Sequence, residues 1–501
     1  MAFLRLLSGC VWENLDMTSL LVFVFIFLLL SDYIKHRSPK NFPPSPLGLP
    51  FLGNVFSLDS KQTHVYIGKL AEEYGDVFSL RLGGETTVFV NGYKTVKDLL
   101  VTQTDALTSR PAAPLFERIN KCQGVTVNNG YPWRQQRRFT LSTLKNFGVG
   151  KKSLESIVSE EISFFHKAFK EEGGKPFNPH FIINNAVSNI ICSIVFGHRF
   201  DYSDSRFQEL LHLISEITYL EGTLWVQVYN AFPRLMKLLP GRHNQLFFYF
   251  ERVMDFLREE IREHKVDWDP SSPRDYIDCY LAEIENRKND VEAQFHEENL
   301  AYCLLDLFVA GTETTSTTLR WALLYMMKYP HVQEQVRAEI DSVIGRERPS
   351  SMEDRTNMPY TDAVIHEIQR ISNIVPLGLL RKTNEDVTLG GCFLPKNTTV
   401  VINLTSVLFD KNEWETPDSF NPGHFLNAEG KFKRKDAFMA FSAGKRSCLG
   451  ESLARMELFL FFSSLLQKFT FHTPEGVQLS LQSQNGLTRT PVMRDICAVA
   501  R

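Results

Sequence analysis

The chain is expected to fold as a mainly α protein with small β-sheets, preceded by an N-terminal membrane anchor helix. Three observations predict this. The uncharged run MTSLLVFVFIFLLLS separates Asp16 from Asp32. From about residue 93 to 330, and again over 451–469, apolar residues recur mostly with helical spacing. Strand character, meaning β-rich runs broken by turn residues, is confined to 75–92 and 386–404. No strand–helix alternation is present, so a doubly wound sheet is not expected.

The apolar run of fifteen residues is shorter than the roughly 20 that a spanning helix uses, unless Leu15 and Tyr33-Ile34 extend it. Lys35, His36, Arg37 and Lys40 follow it, with no A-x-A-like cleavage site, so the run reads as a signal anchor whose basic flank stays cytosolic. Prolines 39, 43, 44, 46 and 50 then make a stiff, extended tether. The organisation is an anchor over 1–34, a basic and Pro-rich hinge over 35–54, and one large domain over 55–501.

Within that domain GDVFSLRLGGETTVFVNG (75–92) reads as a hairpin turning at Gly83-Gly84. EEISFFHKAFKEEGG (160–174) is a helix with a Gly-Gly stop, and FYFERVMDFLREEIREHK (248–265) has helical spacing and alternating charge. A long apolar helix runs from about Glu297 to Tyr329 and ends before Pro330. DVTLGGCFLPKNTTVVINL (386–404) returns to strands, and ESLARMELFLFFSSLLQKF (451–469) is the last helix.

The net charge of −3 and the lack of a large basic run argue against phosphate-dominated nucleic-acid binding. The eight cysteines are widely spaced with no CxxC pair, which suggests neither a zinc site nor a disulfide framework. Two glycosylation patterns, at Asn397 and Asn403, would go unused on a cytosol-facing protein. No GxGxxG follows a strand, and GVGKKS (148–153) lacks the first glycine and the Ser/Thr of a phosphate loop, so a redox enzyme on this chain takes its electrons from another protein.

The loop FSAGKRSCLG (441–450) places one cysteine between two glycines and directly before a helix. Glycines at 444 and 450 allow close approach to a flat object. The helix N-terminus, Lys445 and Arg446 favour a thiolate. A nucleophilic cysteine would need a histidine partner; a thiolate ligand to haem iron suits these features best.

With Phe441, Gly444, Arg446, Cys448 and Gly450 in F-x-x-G-x-R-x-C-x-G spacing, the chain resembles the cytochrome P-450 monooxygenases over essentially its whole length. It is most similar to the microsomal family-2 members, and within them to the branch that oxidises arachidonic acid and other polyunsaturated fatty acids. Three further motifs carry the resemblance. Glu367 and Arg370 match ExxR, one helical face, with His424 of Pro422-Gly-His424-Phe425 implied as third member, completing the guanidinium fork. Ala310-Gly-Thr-Glu-Thr-Thr315 lies within the long helix, where Thr314 is implied in oxygen activation and Glu313 in proton delivery. Trp133 and Arg137, one turn apart, match holders of the haem propionates, as Arg110 and Arg381 do by local alignment.

The resemblance implies the P-450 fold, with haem between the long helix and the Cys448 loop. It implies haem b, bound without thioether links because CxxCH is absent, and Cys448 as its axial ligand. It further implies NADPH used indirectly through an NADPH-cytochrome P-450 reductase, with cytochrome b5 as a further candidate partner. Basic residues Lys431, Lys433, Arg434, Lys435, Lys445, Arg134, Arg138 and Lys145 are candidates for the reductase face. The implied substrates are small and lipophilic, polyunsaturated fatty acids or xenobiotics, oxidised with O2 at the endoplasmic reticulum membrane with the catalytic domain in the cytosol. Pocket candidates are Phe116, Phe308, Ala310, Thr314, Val375, Leu379 and Leu487. A peroxide isomerase on the same fold and a non-enzymatic membrane haem-binding protein are the alternatives, and the Glu313-Thr314 pair speaks against both.

Overall fold

The computed structural model describes residues 17–58, 62–149 and 152–501. Ten short strands are spread along the described chain: β1 (Val77–Leu82), β2 (Glu85–Val90), β3 (Arg381–Lys382), β4 (Val387–Leu389), β5 (Cys392–Leu394), β6 (Thr399–Ile402), β7 (Phe469–His472), β8 (Ser483–Asn485), β9 (Arg489–Pro491) and β10 (Cys497–Ala500). β1 and β2 pair antiparallel with Leu82 opposite Glu85, so Gly83-Gly84 forms a two-residue hairpin turn. β6 joins β2 in parallel, Thr87 opposite Thr399, and β3 completes a four-stranded sheet in the order β1-β2-β6-β3. A parallel pair needs a long crossover, and here most of the helical body is that crossover. The remaining strands form three two-stranded ribbons, β4-β5, β7-β10 and β8-β9.

The helical body is built around the Glu297–Lys328 helix, 32 residues long. His296 caps it by accepting from the Asn299 N–H, Glu297 and Glu298 occupy the positive first turn, and Pro330 follows its end. Most of its side chains are buried, because helices Tyr276–Asn286, His180–Val195, Arg242–Val266, Pro359–Ser372 and Glu451–Lys468 lie against it. Burial on all sides explains why its sequence is apolar all round rather than striped.

The anchor helix spans Met17–Lys35, and none of its residues is buried. Nineteen residues rise about 28 Å, close to the thickness of a bilayer's hydrocarbon core. The charge-free run therefore understates it: the helix continues through Asp32, whose carboxylate pairs with Arg81 of β1 at 2.8 Å and accepts from the Phe51 N–H at 3.1 Å. The Pro-rich segment is extended but not loose, since Ser79 donates through its N–H to the Pro44 carbonyl (2.8 Å) and through its hydroxyl to Pro43 (3.0 Å). Residues 1–16 and Gly150-Lys151 of the weak phosphate-loop match lie outside the described residues.

Candidate active site

The loop over 441–450 is closed by backbone bonds from the Cys448 N–H to the Phe441 carbonyl and from the Ser447 N–H to Gly444, both 3.0 Å. Gly444 has φ +75°, and a Cβ there would lie 2.2 Å from the Leu100 carbonyl oxygen. Its glycine is thus required by the chain itself. Gly450 is different: its φ is −91° and a Cβ would meet only the Cys448 sulfur at 3.9 Å, so neither a sharp turn nor crowding by the protein demands glycine there.

Cys448 sits just before the N-terminus of the Glu451–Lys468 helix with its side chain open on one side. Burial pushes its thiol above the ordinary value; the backbone N–H groups of Gly450 and Glu451 and the Arg137 guanidinium act in the other direction, and Glu451 adds to the rise. The helix end thus acts in the direction expected of it, toward the thiolate, with burial opposing it. The two cations expected to help are committed elsewhere: Lys445 pairs with Asp105, and Arg446 donates to the carbonyls of Thr108, Thr126 and Asn128. A haem iron held by Cys448 would add the positive charge that favours its thiolate.

Four guanidinium groups gather beside this loop. Arg446 stacks 3.7 Å over the Trp133 ring. Arg110 donates to the Thr126, Leu379 and Leu380 carbonyls, Arg137 to Ser447 (2.7 Å), and Arg381 to the Ser442 hydroxyl (3.1 Å). None of the four makes an ion pair with a carboxylate among the described residues. Burial and their mutual repulsion push Arg446 down to about 8, Arg110 to about 9 and Arg381 to about 10. Guanidinium groups stay protonated at neutral pH, so these shifts reflect first the burial of the charges and then their mutual repulsion. The Trp133 indole N–H is buried with no hydrogen-bond partner among the described residues. An unneutralised cation cluster with an orphaned donor fits the two propionates of haem.

Glu367 and Arg370 are fully buried in the Pro359–Ser372 helix and joined by two hydrogen bonds, 2.8 and 2.7 Å. The guanidinium is completed by the carbonyls of Leu408, Pro417 and Ser419, not by the expected third member. His424 binds the carboxylate instead: the Thr416 N–H donates to its Nε2, so Nδ1 carries the proton and donates to Glu367 at 3.1 Å. This network ties the helix to the segment that leads into the cysteine loop.

On the long helix, Thr314 lines a small cavity of about 40 Å³ together with Thr315, Val375, Ala440 and Phe441. Its hydroxyl donates to the Ala310 carbonyl at 2.6 Å. Glu313, one residue earlier, is buried and bonded to the hydroxyls of Thr488 (2.8 Å) and Thr317 (3.1 Å), with Arg320 at 3.8 Å. Gly311, two residues before Glu313, permits close packing, since a Cβ would lie 2.4 Å from Ile191 Cδ1.

A larger cavity of about 320 Å³ adjoins at Val375 and is lined by Phe116, Leu379 and Leu487 among others. Phe308, also a pocket candidate, lines neither of these two cavities. It is 1% exposed and stacks on Phe196 with ring centroids 6.2 Å apart, a core contact between helices. Ala310 is exposed and contributes its carbonyl to Thr314 but lines neither cavity.

Sequence reasoning passed over Asp306, Thr488 and Glu221. Asp306, one turn before Ala310, accepts from the Val125 and Thr126 N–H groups (2.7 and 2.9 Å), and burial pushes it up to about 6. Its i, i+4 spacing to Ala310 was the available signal. Thr488 and Glu221 carry no local signal, because both reach the site only through long-range packing.

The cytochrome P450 family profile matches residues 43–498. The chain is 51% identical to cytochrome P450 2J2 of Homo sapiens over 493 residues, 98% of each chain. It is 49% identical to cytochrome P450 2J1 of Oryctolagus cuniculus, over 100% of this chain and 99% of the relative. It is 48% identical to cytochrome P450 2J5 of Mus musculus, again over 100% and 99%.

Proposed function

The chain belongs to the cytochrome P450 family and is a haem-thiolate monooxygenase, and on that premise we propose that it oxidises lipophilic substrates, polyunsaturated fatty acids first and xenobiotics beside them. Its electrons come from NADPH through a separate flavoprotein reductase, with cytochrome b5 as a second donor. The anchor helix holds it in the endoplasmic reticulum membrane with the body of the chain in the cytosol, on the side of Lys35, Arg37 and Lys40.

The observation that carries the reading is the opposition of two features: a lone thiol open on one side in the 441–450 loop, and four arginines beside it, none in an ion pair with a carboxylate among the described residues. Cys448 would hold the iron, and Arg110, Arg137, Arg381 and Trp133 the propionates, with Arg446 keeping the loop on the Thr108–Asn128 segment. When bound, haem supplies the reductive activation of dioxygen. The chain orients the substrate in the apolar cavity that meets Val375, and it keeps a proton-bearing network at the Thr314 and Glu313 oxygens. Glu313 Oε1 can take up a proton and pass it toward the cavity one helical residue away, with the Thr488 hydroxyl holding the carboxylate in place.

The test is the carbon monoxide difference spectrum of the dithionite-reduced protein beside Cys448→Ser. A Soret band at the thiolate-ligated position, absent in the variant, is expected, followed by NADPH- and reductase-dependent oxidation of a polyunsaturated fatty acid. A spectrum typical of histidine ligation in folded protein refutes the ligand assignment.

A further inference from the structure

One cation on the wall of the 320 Å³ cavity is left over once the haem cradle is assigned. The wall carries two arginines, Arg110 and Arg489. Arg110 belongs to the cluster given to the propionates. Arg489 opens β9, and its N–H donates to the Ile374 carbonyl at 2.7 Å. Its guanidinium donates through Nε to the Ser483 hydroxyl (3.0 Å) and through Nη1 to the Ile371 and Ser372 carbonyls (3.3 and 2.5 Å), and it lies 5.0 Å from the centre of the Trp321 ring. Nη2 donates to no described residue, and no carboxylate among the described residues pairs with the group. The carbonyls at the end of the Pro359–Ser372 helix offset part of its charge. The free arm of the fork keeps its capacity for an anionic oxygen.

His64, the second residue of the Thr63–Tyr74 helix, lines the same cavity and feels the charge of Arg489. Its Nδ1 is buried with no hydrogen-bond partner among the described residues. Burial first, then Arg489, push the ring down to about 4, so it is neutral and has one N–H to donate. The wall also carries Leu115, Phe116, Val226 and Leu377, and it reaches Val375.

We infer that Arg489, with His64 beside it, seats the carboxylate of lipophilic acid substrates, while the hydrocarbon chain lies against the apolar wall that reaches Val375. This rests on the fatty-acid reading above and names the residues that hold the acid end of the substrate. A cation held in a largely apolar cavity recovers lost hydration from an anionic acceptor, and a charge-assisted N–H···O bond is the strong form of that contact. A neutral chain of the same length offers no such return. The imidazole N–H supplies a donor for the second carboxylate oxygen. The one acid on this wall, Glu221, makes no ion pair with Arg489, and burial pushes it up to about 7, which lessens its charge near neutral pH.

The experiment uses the full-length haem-loaded protein near neutral pH and the ligand-induced Soret shift, with linoleic acid and linoleyl alcohol as probes. The acid should bind about tenfold more tightly than the alcohol. Arg489→Gln should lose that preference, Arg489→Lys should keep most of it, and His64→Phe should reduce it several-fold. Alcohol affinity and the carbon monoxide spectrum should stay unchanged in all three, which separates a lost anchor from a disturbed helix end. Equal binding of the two probes by the unmodified protein, or a preference that survives Arg489→Gln, overturns the inference, and oxidation of both probes then leaves the fatty-acid reading in place. Should Arg489→Gln fail to hold haem, an undiminished preference in His64→Phe overturns it instead. If the probes bind as inferred but neither is oxidised with NADPH and reductase, the anchor stands and the fatty-acid reading fails.

Discussion

The Glu313 carboxylate accepts a 2.8 Å hydrogen bond from the hydroxyl of Thr488, a residue 175 positions later on the turn between β8 and β9. The same hydroxyl lies 3.2 Å from that of Thr490, which is only half buried, so a line of hydroxyls leads from the β8-β9 ribbon to the acid beside Thr314. Thr488→Val breaks this line and removes a donor from a buried carboxylate, at about 1–3 kcal/mol. Product formed per NADPH should fall several-fold and peroxide release should rise, with the carbon monoxide spectrum unchanged. Thr488→Ser should restore coupling. Unchanged coupling in the valine variant would show that Glu313 works without its partner.

The Glu367–Arg370 pair has no exposure to solvent, and every polar hydrogen of the guanidinium that the structure pairs goes to Glu367 or a backbone carbonyl. Arg370→Lys keeps the charge but cannot fill that fork. Breaking a buried pair costs about 3–5 kcal/mol. The variant should accumulate as haem-poor protein with a lowered urea midpoint. Wild-type haem content and midpoint would remove the pair from the structural frame.

Arg381 contacts the cysteine loop at Ser442 and belongs to the unneutralised cluster. A hydrogen bond to a charged group contributes about 1.5–3 kcal/mol. Arg381→Gln should therefore speed haem transfer to apomyoglobin by about tenfold or more. In the haem-free protein the same change should stabilise the fold, because it relieves repulsion among like charges. Equal transfer rates would place the propionates elsewhere.

Glu457 is 1% exposed on the last long helix, and among the described residues neither carboxyl oxygen has a hydrogen-bond partner of ordinary geometry. Burial pushes it up to about 8, with the nearby Thr315 acting the other way. An acid raised on folding binds more protons in the native state, so its contribution to stability is lost as pH climbs from the ordinary carboxyl range through 8. At neutral pH that loss is roughly 3 kcal/mol. Glu457→Gln should raise the thermal midpoint at pH 8 and have little effect at pH 5. A pH-independent difference between the two proteins would count against an ionising Glu457.

Lys431, Lys433 and Arg434 are exposed on the segment before the cysteine loop, whereas Lys435 leans on Trp414 and Lys445 on Asp105. Reversing the three free charges should raise the reductase concentration needed for half-maximal turnover and flatten its salt dependence. A titration curve identical to that of the unmodified enzyme would move the docking face elsewhere.

Much of this protein is decided within short stretches of its sequence. Helical period and end signals place the long helix to within a residue, because His296, the acidic first turn and Pro330 act on the nearest backbone groups. The Gly83-Gly84 turn is local for the same reason, and so is the position of Cys448 ahead of a helix. The spacing of Glu367 and Arg370 puts both on one helical face before any tertiary contact forms. Other features depend on what distant segments bring. His424 serves the carboxylate and not the guanidinium because the carbonyls of Leu408, Pro417 and Ser419 arrive first at Arg370. Phe308 is buried because Phe196 lies over it, and how burial and the helix end act together on Cys448 depends on segments outside its loop. Glu221 lines a cavity without pairing to the arginines that share it, on a helix end held by the Leu487 N–H at the Thr218 carbonyl. Hydrogen bonds within a turn and the helical period span a few residues, so sequence alone determines them. Desolvation and the choice of partner for a buried charge depend on every segment that excludes water from it, and only the assembled tertiary structure decides them.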